Sequence, residues 1–215
     1  MDARDIKKLA RRGEDSQTEF KLKVYYPHKI LREIVAFANT EGGFLLIGIA
    51  DNGQIKGVKN PEGEIFELER ALKKYCQPLP TYTIHRVPVP EEREVVVFQI
   101  APAAEKPVYL LPQKLDQERV VYVRSEDKSI QASREMKRIL RDSSRNRHVL
   151  IQIGEHERTL LNYLSEKKRI NLETYAELTH LPKRIASAIL VKLTLANVIE
   201  IKPQEGGYDF FVEAI

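Results

Sequence analysis

The chain has 215 residues, of which 42% are hydrophobic and 31% charged, enough apolar material for one large or two small cores and too much for disorder along the whole length. A lone cysteine, Cys76, excludes a disulfide framework and any site that needs several thiolates. No stretch approaches the roughly 20 apolar residues of a membrane helix, and the start, MDARDIKKLARRGED, lacks the apolar core of a signal peptide, so a cytoplasmic protein with no membrane partner is expected.

The net charge of +4 is unevenly spread. Up to His148 there are 27 Lys and Arg against 22 Asp and Glu, and from Val149 onward 8 against 9. The densest basic run is Arg134, Lys137, Arg138, Arg141, Arg145 and Arg147, against Glu135 and Asp142. Such a run can neutralise phosphates, or it can simply be a solvated helix face.

In chain order, residues 2–12 predict a short basic helix stopped by Gly13. Glu19 to Val24 alternates polar and apolar, which predicts a half-buried strand with Phe20, Leu22 and Val24 inward. Glu19, Lys21 and Lys23 then share its other face. Ile30, Leu31, Ile34, Val35 and Ala38 recur at helical steps, and Gly42-Gly43 follows as the stop. Phe44 to Ala50 predicts a strand covered on both faces. Asp51-Asn52-Gly53 predicts a tight turn into a short return strand.

Residues 61–63 read as a loop, and Ile65 to Tyr75 as a second helix ending before Pro78. Strands follow at Tyr82 to Val89 and Glu94 to Ile100, then a pair at 108–111 and 120–124. A loop over 125–130 leads to the basic helix, Ala132 to Arg145. The last third predicts helices over 155–168, 172–178 (capped by Asn171) and 183–196, then strands over 198–202 and 208–212. Three helices and a hairpin make a winged helix-turn-helix, whose third helix usually reads the DNA major groove. The class is α+β, with domains at 1–148 and 149–215.

Three carboxylates invite chemistry. If the Glu19 strand lies beside the Phe44–Ala50 strand, Glu14, Glu19 and Asp51 converge at one edge. They could then hold Mg²⁺ or Mn²⁺ for phosphodiester cleavage, with Lys21 stabilising phosphate charge. The plainer alternative is that Asp51 shapes the turn and Glu14 is solvated. Asn39 to Gly43 ends a helix, where the dipole disfavours anions, so a helix cap is the better reading. No phosphate-loop sequence supports a nucleotide cofactor, and no histidine pair has metal-ligand spacing. In the C-terminal part Lys183, Arg184 and Lys192 are placed for phosphates. That part is net acidic, however, which leaves a protein-interaction or dimerisation role open.

Taken together, Glu14-x-x-x-x-Glu19-Phe20-Lys21, Ala36-Phe37-Ala38-Asn39-Thr40-Glu41-Gly42-Gly43, Leu46-Ile47-Gly48-Ile49-x-Asp51-x-Gly53 and Val58 resemble the Schlafen/Alba-type domain of bacterial proteins. Pro107-Val108-Tyr109, Tyr122-Val123-Arg124 and Ala132-Ser133 continue the likeness, which covers about residues 13–140. The resemblance implies an α/β domain that binds DNA or RNA, often joined to a winged helix in transcriptional regulators. It also implies a rival function. Animal Schlafen relatives include metal-dependent endoribonucleases, whose three acids match Glu14, Glu19 and Asp51, with Lys21 beside them. Those nucleases use two fused domains, so this chain would need a homodimer. The leading expectation is a nucleic-acid-binding regulator; the alternative is an endoribonuclease.

Overall fold

The helix that organises the first half is buried over most of its circumference, because it is sandwiched rather than laid on a surface. In the computed structural model, which describes residues 1–114, 116–144 and 152–214, this helix is α2, Pro27–Asn39. Eight of its residues, from Ile30 to Asn39, are buried. Its end is set by Gly42, whose amide donates to the Phe37 carbonyl at 2.9 Å with φ at +77°. A Cβ at Gly42 would stand 2.6 Å from the Ile100 carbonyl oxygen, so glycine is required for space as well as for φ.

The chain divides into two units, Met1–Ile130 and Gln131–Ile215. The first is built on a four-stranded sheet in the order β1-β2-β5-β4. These strands are β1 (Thr18–Lys21), β2 (Gly43–Ile47), β4 (Tyr82–Val89) and β5 (Arg93–Ile100). β1 runs parallel to β2, with Glu19 opposite Leu45, and the other pairs are antiparallel. On one face Leu45, Ile47, Val96, Phe98 and Ile100 pack against α2 and against Leu68 and Leu72 of α3 (Pro61–Tyr75). On the other, Phe20, Leu46, Val95 and Val97 pack against Ile6 of α1 (Ala3–Arg12). β2 is thus covered on both faces, as its apolar run predicts.

Several local expectations are corrected. β1 ends at Lys21, and Leu22 is exposed rather than inward. Its neighbour β2 has ended by then, and the Lys21 carbonyl accepts instead from the Gly48 amide at 2.8 Å. The return strand after Asp51-Asn52-Gly53 is only a bridge between Ile49 and Ile55, although the turn itself closes with Gly53 N on Ala50 O at 2.8 Å. Residues 61–63 are the first turn of α3, because Asn60 caps Gly63 N and Pro61 fits N1. The pairing of 108–111 with 120–124 shrinks to a Leu110–Val120 bridge. β6 (Tyr109–Leu110) pairs instead with β3 (Cys76–Gln77), and β7 (Tyr122–Ser125) turns back into β8 (Lys128–Gln131), so 125–130 is largely a hairpin.

The second unit holds α4 (Arg134–Ser143), α5 (Glu155–Lys167), α6 (Leu172–Thr179), α7 (Lys183–Leu195) and an antiparallel pair, β9 (Ile199–Pro203) and β10 (Asp209–Glu213). Leu160, Leu164, Tyr175, Leu190, Leu193 and Phe211 form its core. The expected boundary at 148 differs from the observed division. α4 buries Met136, Ile139 and Leu140 and packs along α7, so the basic helix goes with the C-terminal unit. Arg145 and Arg147 of the expected basic run lie outside the described residues.

Candidate functional site

Glu19 sits on β1 with its side chain on the face toward α2, and it is only 7% exposed. A buried carboxylate needs partners, and this one has a cation on each oxygen. Oε1 takes the Lys21 ammonium, and Oε2 takes Arg124 Nη1 at 3.2 Å. Arg124, on β7, is the hub of the cluster. Its Nη1 also reaches Glu33 of α2 at 2.6 Å and Ser129 Oγ at 3.1 Å, and its Nη2 donates to the Asp15 carbonyl at 2.7 Å. The guanidinium lies 4.8 Å from the centre of the Phe37 ring. Ser129 also donates to Glu33.

Glu14 stands at the edge of this cluster. Its carboxylate accepts from Phe20 N at 2.8 Å, which fixes the loop that enters β1. Burial pushes the Glu14 pKa up; the Phe20 bond opposes this, while Glu19 and Asp51 add to it. Glu33 is likewise pushed up, first by burial and then by Glu19, with Ser129, Arg124 and Lys21 opposing. Glu14 therefore shares a field with Glu19, Lys21 and Asp51, the four residues singled out in the sequence. Asp51 remains exposed in its turn. Sequence reasoning missed Glu33 as a site residue. Its only signal is that it is the one acid on α2.

A second constellation lies within the C-terminal unit. Arg134, Lys137, Arg138 and Arg141 of α4 face Lys183 and Arg184 of α7 across a groove of about 720 Å³. These are six of the seven cations expected to contact nucleic acid among the described residues; Lys192, further along α7, is not among the groove residues. Glu135 in the groove is occupied as an acceptor for Ser187 Oγ at 2.6 Å. α7 begins after Pro182 with no side-chain cap and no acid in its first turn. Two cations at the positive end of a helix dipole oppose the usual preference; Lys183 is paired with Glu173 at 3.2 Å, which offsets part of that charge.

The model of the family described as Schlafen, AlbA_2 matches residues 14–133, more than half of the chain. The chain belongs to the Schlafen, AlbA_2 family. That family is associated with nucleic-acid binding. The AlbA_2 match takes in the whole charge cluster around Arg124 and ends at residue 133, before α4. Among solved structures, the chain is similar to a protein of Corynebacterium diphtheriae, with 23% identity and a TM-score of 0.42, covering 56% of this chain and 25% of that one. It is also similar to the N-terminal domain of a RecG-related protein from Nitrosomonas europaea, with 20% identity and a TM-score of 0.44, covering 55% of this chain and 86% of that one. Comparison with curated proteins finds no match.

The AlbA_2 acids do not fit a divalent cation as they stand. Both Glu19 oxygens are engaged by cations, and one Glu14 oxygen is held by Phe20 N. Among the described residues no three His, Cys, Asp or Glu side chains are grouped so as to hold a metal ion. The segment Asn39 to Gly43, read from the sequence as a helix cap, is structural. Asn39 Nδ2 donates to the Val108 and Tyr122 carbonyls, both at 2.9 Å, and Oδ1 accepts from Val108 N at 2.7 Å. No helix is long and apolar enough to cross a membrane among the described residues.

Proposed function

We propose that this AlbA_2 protein is a nucleic-acid-binding regulator that holds phosphates in the groove between α4 and α7. The observation that carries this reading is the convergence of six cations from two helices, about fifty residues apart in sequence, on one groove. Each such cation can displace a condensed counterion from a duplex, so binding gains affinity at low salt and loses it steeply as salt rises.

The order of three helices, α5 to α7, followed by the antiparallel β9 and β10 is that expected of a winged helix and favours DNA as the target, with phosphate contacts ahead of base reading. Ser187 on α7 is taken up by Glu135 of α4. Of the outward α7 residues beyond the groove, Ile185 is apolar and Lys192 is a point charge. Neither offers the paired donor and acceptor that discriminates bases. The endoribonuclease alternative requires Lys21 and Arg124 to leave Glu19 before a metal could bind there.

Fluorescence anisotropy with duplex DNA and duplex RNA over a salt series tests the reading. The expected result is a steep fall in affinity with salt, and a shallower slope for the Arg138→Ala/Arg184→Ala variant. A flat salt response, or an unchanged slope in that variant, would overturn the assignment of the groove.

A further inference from the structure

The AlbA_2 unit carries a surface that its buried charge cluster does not use. Between β1 and α2 the chain reads Lys21-Leu22-Lys23-Val24-Tyr25-Tyr26-Pro27-His28-Lys29, and from Phe20 to Arg32 it holds four cations and no acid. Tyr25 is 67% and Tyr26 69% exposed. Tyrosine normally buries its ring and leaves only the hydroxyl wet, so two adjacent rings in solvent call for an explanation.

The rings stand on a backbone fixed at both ends. Val24 N donates to the Glu64 carboxylate of α3 at 2.7 Å. The Tyr26 carbonyl accepts from Lys29 N at 2.9 Å as α2 begins. Each ring has a cation nearby: Lys23 Nζ lies 5.9 Å from the Tyr25 ring centre, and Lys29 Nζ lies 5.0 Å from that of Tyr26. The next two residues, Pro27 and His28, line a cavity of about 300 Å³ with Lys74 and Tyr75 of α3. His28 is held there edge-on to Tyr75 at 5.1 Å, with Nε2 3.2 Å from the Leu111 carbonyl oxygen. Glu67, on the same wall, is paired with Arg70 at 2.6 Å.

Exposed rings interleaved with lysines match the two halves of a nucleotide: a flat base and a charged phosphate. A duplex hides its base faces in the stack, whereas a single strand offers them. We propose that the turn between β1 and α2 is a stacking platform for single-stranded nucleic acid. Tyr25 and Tyr26 lie under successive bases, Lys23, Lys29 and Lys74 meet the phosphates, and the cavity beside His28 takes a neighbouring nucleotide. This platform belongs to the N-terminal unit and does not depend on the groove between α4 and α7.

The test measures binding of oligo(dT), oligo(rU), duplex DNA and heparin to the full chain. Tyr25→Ala/Tyr26→Ala is expected to lose about tenfold or more of its affinity for the single strands and to keep its affinity for duplex and heparin. Tyr25→Phe/Tyr26→Phe is expected to bind like the parent, because the ring does the stacking. Lys23→Ala/Lys29→Ala should lower the single-strand salt slope by about 1 to 2. With 9 tyrosines and no tryptophan in the chain, single-strand binding should also quench tyrosine emission, and less so in the alanine variant. Tighter binding of oligo(dT) or of oligo(rU) shows which strand is preferred and supports the platform either way. Single-strand binding that survives Arg138→Ala/Arg184→Ala but not the tyrosine change separates the two sites. Wild-type oligonucleotide affinity in the alanine variant, folded by circular dichroism, would overturn the proposal. An equal loss for heparin would overturn it too, since heparin has no bases.

Discussion

Arg124 Nη1 lies 3.2 Å from Glu19 Oε2, joining two residues 105 positions apart. The same nitrogen reaches the half-buried Glu33 at 2.6 Å, so a single guanidinium keeps two acids together. Removing it leaves Glu19 and Glu33 facing each other with Lys21 as the nearest remaining cation. Arg124→Ala is therefore expected to destabilise the fold by about 3–5 kcal/mol, the range for breaking a buried pair from one side. Glu19→Gln should cost less, since Arg124 keeps Glu33. Urea denaturation of the two variants checks the order; a milder loss for Arg124→Ala than for Glu19→Gln would contradict the hub.

Divalent metal should leave this cluster undisturbed. A cation at Glu14, Glu19 and Asp51 would have to displace Lys21 and Arg124 from Glu19. Millimolar Mg²⁺ or Mn²⁺ is expected to leave the melting temperature where it is, because a ligand stabilises only the state it binds. A rise that disappears in Glu19→Gln would show that the acids do rearrange around a metal.

Asp209 makes stability depend on pH. Its carboxylate is 8% exposed and accepts from Ser133 Oγ at the start of α4. Burial pushes its pKa from 3.8 up to about 6, with Glu135 adding to the rise and Ser133 opposing it. An acid with a higher pKa folded than unfolded holds its proton more tightly in the native state, so its contribution declines as pH rises from about 4 through 6. Above that window the ionised group costs on the order of 3 kcal/mol. Asp209→Asn should be more stable than the parent at pH 7 and should flatten that part of the curve. Urea melts across pH 4 to 8 measure it; a parallel curve for the variant would place the pH dependence elsewhere.

Asn39 should behave as a structural tie. Its amide satisfies the Val108 N–H and the carbonyls of Val108 and Tyr122. Asn39→Ala leaves buried backbone groups unmatched and is expected to cost about 3 kcal/mol. Nucleic-acid affinity per folded molecule should remain unchanged. A specific loss of binding at unchanged stability would return this segment to the functional surface.

Much of this protein was legible in local pattern. The helical period from Ile30 to Ala38, the Gly42 stop and the apolar run of β2 depend on neighbours a few residues away, and all three appear, although β2 stops at Ile47, where Gly48 turns the chain with φ at +102°, rather than at Ala50. The acids Glu14, Glu19 and Asp51 and the cations of α4 and α7 were also visible as residue types at chosen positions. Their partners were not. Whether a carboxylate is open to a metal or closed by a guanidinium depends on which distant strand passes above it, and β7 comes to Glu19 only through the folding of the whole N-terminal unit. In the same way, the sequence shows two basic helices but not that they face each other, because their apolar sides alone do not specify a partner. The elements follow from local sterics and hydrophobic period; the pairing of Arg124 with Glu19 and of α4 with α7 follows from long-range packing.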